Sequence, residues 1–141
     1  MNNNPIRRIH VFIRKMNVLI SQKAQELCEF FNQYQVSCTI VNTHQIPDEK
    51  PDLVFVLGGD GTFLSASHRY AAEGIPILGI DMGGLGFLTE VSVEALFNAA
   101  LAVLEGKYVI ENRMMVDCSI HHIEEGVEQD IALNDVVIYR G

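Results

Sequence analysis

Leu53-Val54-Phe55-Val56-Leu57-Gly58-Gly59-Asp60-Gly61-Thr62 is the stretch whose reading decides the fold. Its first five residues are apolar without a break, and two are β-branched, the pattern of a strand buried on both faces. Gly58 and Gly59 end the run at a turn where the backbone can bend sharply and lie close to a ligand. Asp60 sits in that turn with Gly61 behind it, and Thr62 opens a segment, residues 63–72, that fits a short helix. A strand, a glycine turn and a helix start form the edge at which open α/β sheets bind ligands. Free backbone N–H groups and the positive end of a helix dipole meet there, which suits a phosphate.

The carboxylate narrows the chemistry. A loop that holds phosphate directly avoids a negative side chain, and the Gly-x4-Gly-Lys-Ser/Thr pattern is absent. Three roles stay open for Asp60. It can accept a hydrogen bond, or a proton, from a substrate hydroxyl. It can face a magnesium ion that bridges to phosphate oxygens. Or it can cap the following helix. Two glycines and a buried strand ahead of it favour a ligand over a plain cap.

The chain has 141 residues, enough for one domain and hardly for two. Hydrophobic residues make up 48%, so a core can form, and the formal charge of −8 argues against nucleic-acid and anionic-membrane partners. A phosphate ligand must therefore be held by local N–H groups, a few cations and a metal ion. Arg69, on the following helix, is the first cation after the turn. Cys28, Cys38 and Cys118 are an odd, scattered set, which suits a reducing compartment and indicates neither a disulfide framework nor a zinc site. His121 and His122 point to opposite faces of any strand that carries them, which weighs against a metal site with Cys118. No apolar run approaches the ~20 residues of a membrane helix. Met1 to Asn4 is no signal peptide, so a cytoplasmic setting is expected.

Around the central stretch the elements fall in order. Residues 6–13 alternate loosely and read as a first strand. Ser21 is placed to cap a helix running to about Tyr34, with Ala24, Leu27, Cys28 and Phe31 as its buried stripe. Residues 36–41 read as a second strand, and the polar residues 42–51, with two prolines, as a loop. Glu73-Gly74 ends the helix opened at Thr62, and Pro76 forbids its resumption. Residues 77–80 form another short strand. Asp81-Met82-Gly83-Gly84-Leu85-Gly86-Phe87-Leu88 then makes a second glycine loop at the same sheet edge. Ser92 begins a helix with Val93, Leu96, Phe97, Ala100, Leu101 and Leu104 on its apolar face, closed by Gly106. This alternation predicts an α/β fold, a mostly parallel sheet with helices on both faces.

From Tyr108 on the character changes. Residues 114–120 and 131–139 read as strands, with Glu124-Glu125-Gly126 as the turn of an antiparallel hairpin. The expected division is an α/β nucleotide-binding domain over residues 1–107 and the start of a β-rich domain over residues 108–141, cut short. Asn134 and Asp135 stand side by side in the second of these strands. They mark either a strand end or a ligand-facing pair, the amide for a base or carbonyl and the carboxylate for ribose hydroxyls.

Together these pieces resemble the NAD kinase family. Gly58-Gly59-Asp60-Gly61-Thr62-Phe63-Leu64 looks like its glycine–aspartate motif, and residues 76–88 look like its second loop. Glu111, Arg113-Met114-Met115 and Asn134-Asp135 are similar to its Glu-x-Arg-Met-Met and Asn-Glu/Asp elements. The resemblance implies transfer of a phosphoryl group from ATP, or in some members polyphosphate, to the adenosine 2′-hydroxyl of NAD, with magnesium accompanying the nucleotide. It implies that Asp60 contacts the 2′-hydroxyl as proton acceptor, that Gly61 sits against the dinucleotide, and that Gly58, Gly59 and Thr62 face phosphates. Phe87 would line the dinucleotide pocket, Asn134 would meet an adenine and Asp135 a ribose hydroxyl. A homo-oligomer, dimer or tetramer, is also implied. Asp81 departs from the family's usual asparagine. A lipid or other small-molecule kinase sharing the glycine–aspartate turn, and a non-catalytic nucleotide-binding fragment, are the competing readings.

Overall fold

The computed structural model describes residues 5–14, 17–84, 86–122 and 126–138. The apolar run forms β3 (Leu53–Gly58), buried at every position. It lies beside β1 (Arg8–Ile13) in parallel, Ile9 opposite Leu53 and Ile13 opposite Leu57. On the far side of β1 runs β2 (Ser37–Val41), and on the far side of β3 runs β4 (Ile77–Asp81), both parallel. A two-residue β5 (Val91–Ser92) pairs with β4 and completes a parallel sheet in the order β2-β1-β3-β4-β5.

Side-chain alternation along β3 builds two cores. Leu53, Phe55 and Leu57 pack with Ile9, Val11 and Ile13 against α1 (Val18–Gln33) and α3 (Leu96–Leu104). Val54 and Val56 pack with Phe12 and Val41 against α2 (Asp60–Tyr70), through Ala66 and Tyr70. Each large apolar side chain removed from water contributes ~1.5–3 kcal/mol, so the strand anchors both layers. The expected α/β architecture, with helices on both faces, is the one observed.

Several boundaries differ from the sequence expectations, each for a local reason. Asn17, not Ser21, caps α1, accepting the Ile20 N–H at 2.8 Å. Gly59, not Thr62, is the N-cap of α2, so Asp60 is already helical. Val93–Ala95 form a single 3-10 turn before α3, which leaves Phe97 and Leu101 part-exposed while Leu96, Ala100 and Val103 carry the contact. Cys28 and Cys38 are joined in a disulfide, contrary to the expectation from their spacing. Consecutive packing of α1 and β2 brings their Cα atoms to 5.0 Å, within the range such a bond spans.

The chain divides into two compact units, residues 1–110 and 111–141. The second holds an antiparallel hairpin of β6 (Val116–His122) and β7 (Gly126–Ala132). The expected second strand, residues 131–139, is thus displaced toward the N-terminus. Val127-Glu128-Gln129-Asp130 is too polar to read as a strand, yet pairing from Val116↔Ala132 to His122↔Gly126 recruits it. Met1–Asn4, Leu85, Glu124, Glu125 and the end of that expected strand at Tyr139 lie outside the described residues.

One buried polar pair had no signature in the sequence. His10, 1% exposed on the α2 face of β1, shares a 2.9 Å hydrogen bond with the Tyr70 hydroxyl. Burial, then Arg8 and Arg69, lower the His10 pKa below 6.5, and burial pushes Tyr70 up to about 12. The unfolded chain therefore takes up a proton at His10 before the folded one does. Stability should fall as pH drops through 6.5 toward the lower folded value, by at most about 1.4 kcal/mol per pH unit from this group. Urea titrations at several pH values check this, and His10→Gln, which cannot titrate, should flatten the dependence.

Candidate active site

Two glycine loops leave the carboxyl ends of adjacent strands, Gly58–Gly61 after β3 and Met82–Thr89 after β4. The first turns directly into α2, where the Thr62 and Phe63 N–H groups close on the Gly59 carbonyl at 3.0 and 3.1 Å. No side chain caps this helix. Asp60 instead reaches across to the second loop. Its Oδ2 accepts the Phe87 N–H and its Oδ1 the Leu88 N–H, both at 2.9 Å. The capping role left open for Asp60 is therefore not the one it takes.

These donors decide its protonation. Hydrogen bonds from the Phe87, Leu88 and, more weakly, Thr89 N–H groups hold the Asp60 carboxyl below the usual carboxylate range. It is an anion at neutral pH and a weak base. An ionised carboxylate offers about four lone-pair directions, so acceptor capacity remains for a ligand hydroxyl.

Three glycines permit this arrangement sterically. A Cβ at Gly86 would collide with Asp60 Oδ1 and Thr89 Oγ1. A Cβ at Gly79, on β4, would lie 2.8 Å from Phe63 Cδ2 and 3.0 Å from Thr89 Cγ2. Thr89 is thus seated on the strand, buried, its hydroxyl without a hydrogen-bond partner among the described residues. A Cβ at Gly58 would run into Thr62 Oγ1, so the Thr62 side chain folds back over the end of β3.

Asp81 shapes the other end of the second loop. Its Oδ1 accepts the N–H groups of Gly83 and Gly84 at 3.0 and 2.9 Å, and Gly83 takes a φ of +148°. Both bonds fall on one oxygen, so an asparagine Oδ1 could accept them equally. Beyond it Phe87 is 99% exposed. An aromatic ring held by its own backbone N–H yet packed on nothing offers a ready stacking surface.

Arg14 escaped the sequence analysis. It follows β1 directly, and its Nη1 donates to the Gly61 carbonyl at 3.4 Å. Arg69, the cation sequence order suggested, is paired with Glu73 at 2.7 Å. Asn134 and Asp135 belong to the second unit, past the end of β7 rather than within a strand, exposed, with Asn134 Nδ2 donating to Asp135 Oδ2 at 3.3 Å. Among the described residues, no three His, Cys, Asp or Glu side chains come together to hold a metal, and no helix is long and apolar enough to cross a membrane.

A parallel sheet with helices on both faces, carrying an acid-bearing glycine turn tied to a second glycine loop, is an open α/β fold with its candidate site at the carboxyl ends of the strands. The model of the ATP-NAD kinase N-terminal domain matches residues 7–108, and the chain belongs to that family. A NAD kinase of Neisseria meningitidis is 44% identical over 111 residues, which cover 79% of this chain and 37% of that protein. One of Saccharophagus degradans is 35% identical over 136 residues, covering 96% and 45%. The chain thus spans less than half the length of these curated relatives. Among solved structures, yeast NADH kinase complexed with NADH matches with a TM-score of 0.78 at 16% identity, covering 94% of this chain and 48% of that one, a likeness of fold.

The contacts at Gly86 make a direct prediction. Gly86→Ala should destabilise the first unit by ~1–3 kcal/mol, because the new methyl must displace Asp60 or Thr89. Gly84→Ala, with nothing within 4 Å of its added Cβ, should change stability by less than ~0.5 kcal/mol. Urea denaturation of both variants beside the parent chain checks the contrast.

Proposed function

We propose that the protein containing this chain is an NAD kinase that transfers the terminal phosphoryl group of ATP to the 2′-hydroxyl of the adenosine ribose of NAD. The observation that carries this is Asp60, an anion fixed between two glycine loops with Phe87 exposed beside it. In the step, the 2′-oxygen bonds to phosphorus while the bond to the ADP oxygen breaks, and the hydroxyl proton leaves toward Asp60. Asp60 is too weak a base to remove that proton early. Its lowered pKa suits an acceptor that aims the hydroxyl in line and takes the proton late. Phosphoryl transfer through a loose transition state needs that positioning more than strong basicity.

The other residues follow from the family pattern. Gly61 lies against the dinucleotide, Phe87 stacks in its pocket, and Gly58, Gly59 and Thr62 face phosphates. Asn134 meets the adenine and Asp135 a ribose hydroxyl. Magnesium enters with ATP, neutralising the charge of its phosphates. Residues 1–107 serve as the nucleotide-binding domain and 108–141 as the first strands of a β-rich domain. The complete enzyme is a homo-oligomer, dimer or tetramer, of the cytoplasm, where Cys28 and Cys38 are subject to reduction by the thiol pool.

In the complete enzyme, Asp60→Asn should lower kcat about 10²-fold or more. Its amide nitrogen would oppose one of the loop N–H groups, so the KM for NAD should rise too, by less than about 10-fold. Steady-state NADP formation measures both, and near-normal turnover removes Asp60 from the step.

The 141-residue chain alone should form little NADP, since it lacks more than half of the length of its relatives. Labelled ATP offered with NAD, a diacylglycerol or a sphingoid base separates this function from that of a lipid kinase. Label appearing in lipid and not in NADP would replace the assignment.

A further inference from the structure

We propose that the phosphates of the donor bind in the crevice between the carboxyl ends of β1 and β3, with Arg14 as their principal cation. The inference rests on the phosphoryl-transfer reading above and locates the donor side of that site.

Strand order is the first ground. In β2-β1-β3-β4-β5 the chain winds outward in both directions from the β1–β3 pair. The helix after β1 covers one face and the helix after β3 the other. The connections therefore part above this pair, and open sheets of this order take ligands at that switch point.

A cavity of about 420 Å³ opens at the same place, lined by Arg14, Thr43, Gly61, Leu64, Ser65 and His68. Four of these are one stripe of α2, at i, i+3, i+4 and i+7 from Gly61. Arg14 continues the alternation of His10 and Phe12, the face of the sheet that α2 covers. The Gly61 carbonyl fixes one corner of the guanidinium and also accepts the Ser65 hydroxyl at 3.0 Å. The remaining guanidinium N–H donors have no partner among the described residues. A planar fork of this kind matches phosphate oxygens two at a time. Among the described residues no carboxylate lines the cavity, in a chain whose net charge is −8.

Acid and cation thus lie on opposite sides of one glycine turn. Asp60 is turned to the loop after β4, and Arg14 stands at the end of β1. An acceptor hydroxyl aimed by Asp60 and a donor chain drawn toward Arg14 approach each other over Gly59–Gly61. That is the separation an in-line transfer requires.

The test has two arms. First, binding of inorganic tripolyphosphate, with and without magnesium, is measured by calorimetry for this chain and for Arg14→Ala and Arg14→Lys, each checked for an unchanged melting temperature. Arg14→Ala should weaken binding about 10–100-fold, the scale of a lost charge-assisted contact, with partial recovery in Arg14→Lys. Second, in the complete enzyme Arg14→Ala should raise the KM for ATP by a similar factor and leave that for NAD within about twofold. Equal tripolyphosphate binding by Arg14→Ala and the parent, or parallel rises in both KM values, would overturn the proposal. A complete enzyme that makes no NADP would refute the function proposed above, while the binding arm still decides whether Arg14 holds phosphate.

Discussion

The Asp60 carboxylate, shared among the backbone N–H groups of the second loop, is the contact on which the site depends. Backbone donors at the tip of a surface loop ordinarily turn to water. Here they turn inward to one anion, and that fixes where Phe87 is displayed. The anion is in turn fixed by belonging to the first turn of α2, which cannot move without disturbing Ala66 and Tyr70 in the core. Loop position is therefore coupled to the buried strand through a single side chain. The same bonds tune the acid, since each N–H that orders the loop also makes Asp60 a weaker base.

That coupling explains why the glycines cluster where they do. Gly86 lets the carboxylate approach, Gly79 lets Thr89 rest on β4, and Gly58 leaves room for Thr62. Among the described residues of this loop, only Gly83 is required for its backbone angle. A glycine-rich loop is easily read as flexible, but close approach is the stronger reason for these three. A Cβ at Gly86 would meet both Asp60 Oδ1 and Thr89 Oγ1, which shows how tightly the groups are set together.

Much of the fold was legible because apolar runs and turn residues carry it. The unbroken run 53–57 fixed a strand buried on both sides, and Gly74 and Gly106, both at positive φ, ended their helices where expected. Patterns that need a partner strand were not legible. β5 is two residues long, and β7 is polar at its centre, Glu128-Gln129-Asp130. In the site, the glycine–aspartate turn and Phe87 stood out by composition. Arg14 did not, because its relevance depends on β1 lying next to β3, a fact of strand order that no local pattern encodes. The Cys28–Cys38 contact was hidden because it depends on how α1 packs on β2, which the cysteine spacing does not encode.

The second unit poses a different physical problem from the first. β6 and β7 expose Val116, Ile120 and Val127, and the segment after them exposes Val136, Val137 and Ile138. A two-stranded hairpin is marginal in water, and it gains stability only when an apolar face is covered. The curated relatives are more than twice as long as the stretch they share with this chain. Asn134 and Asp135 lie in this exposed segment, where Asn134 Nδ2 donates to Asp135 Oδ2. The first unit differs, since the helix that carries Asp60 is anchored through Ala66 and Tyr70 in a finished core.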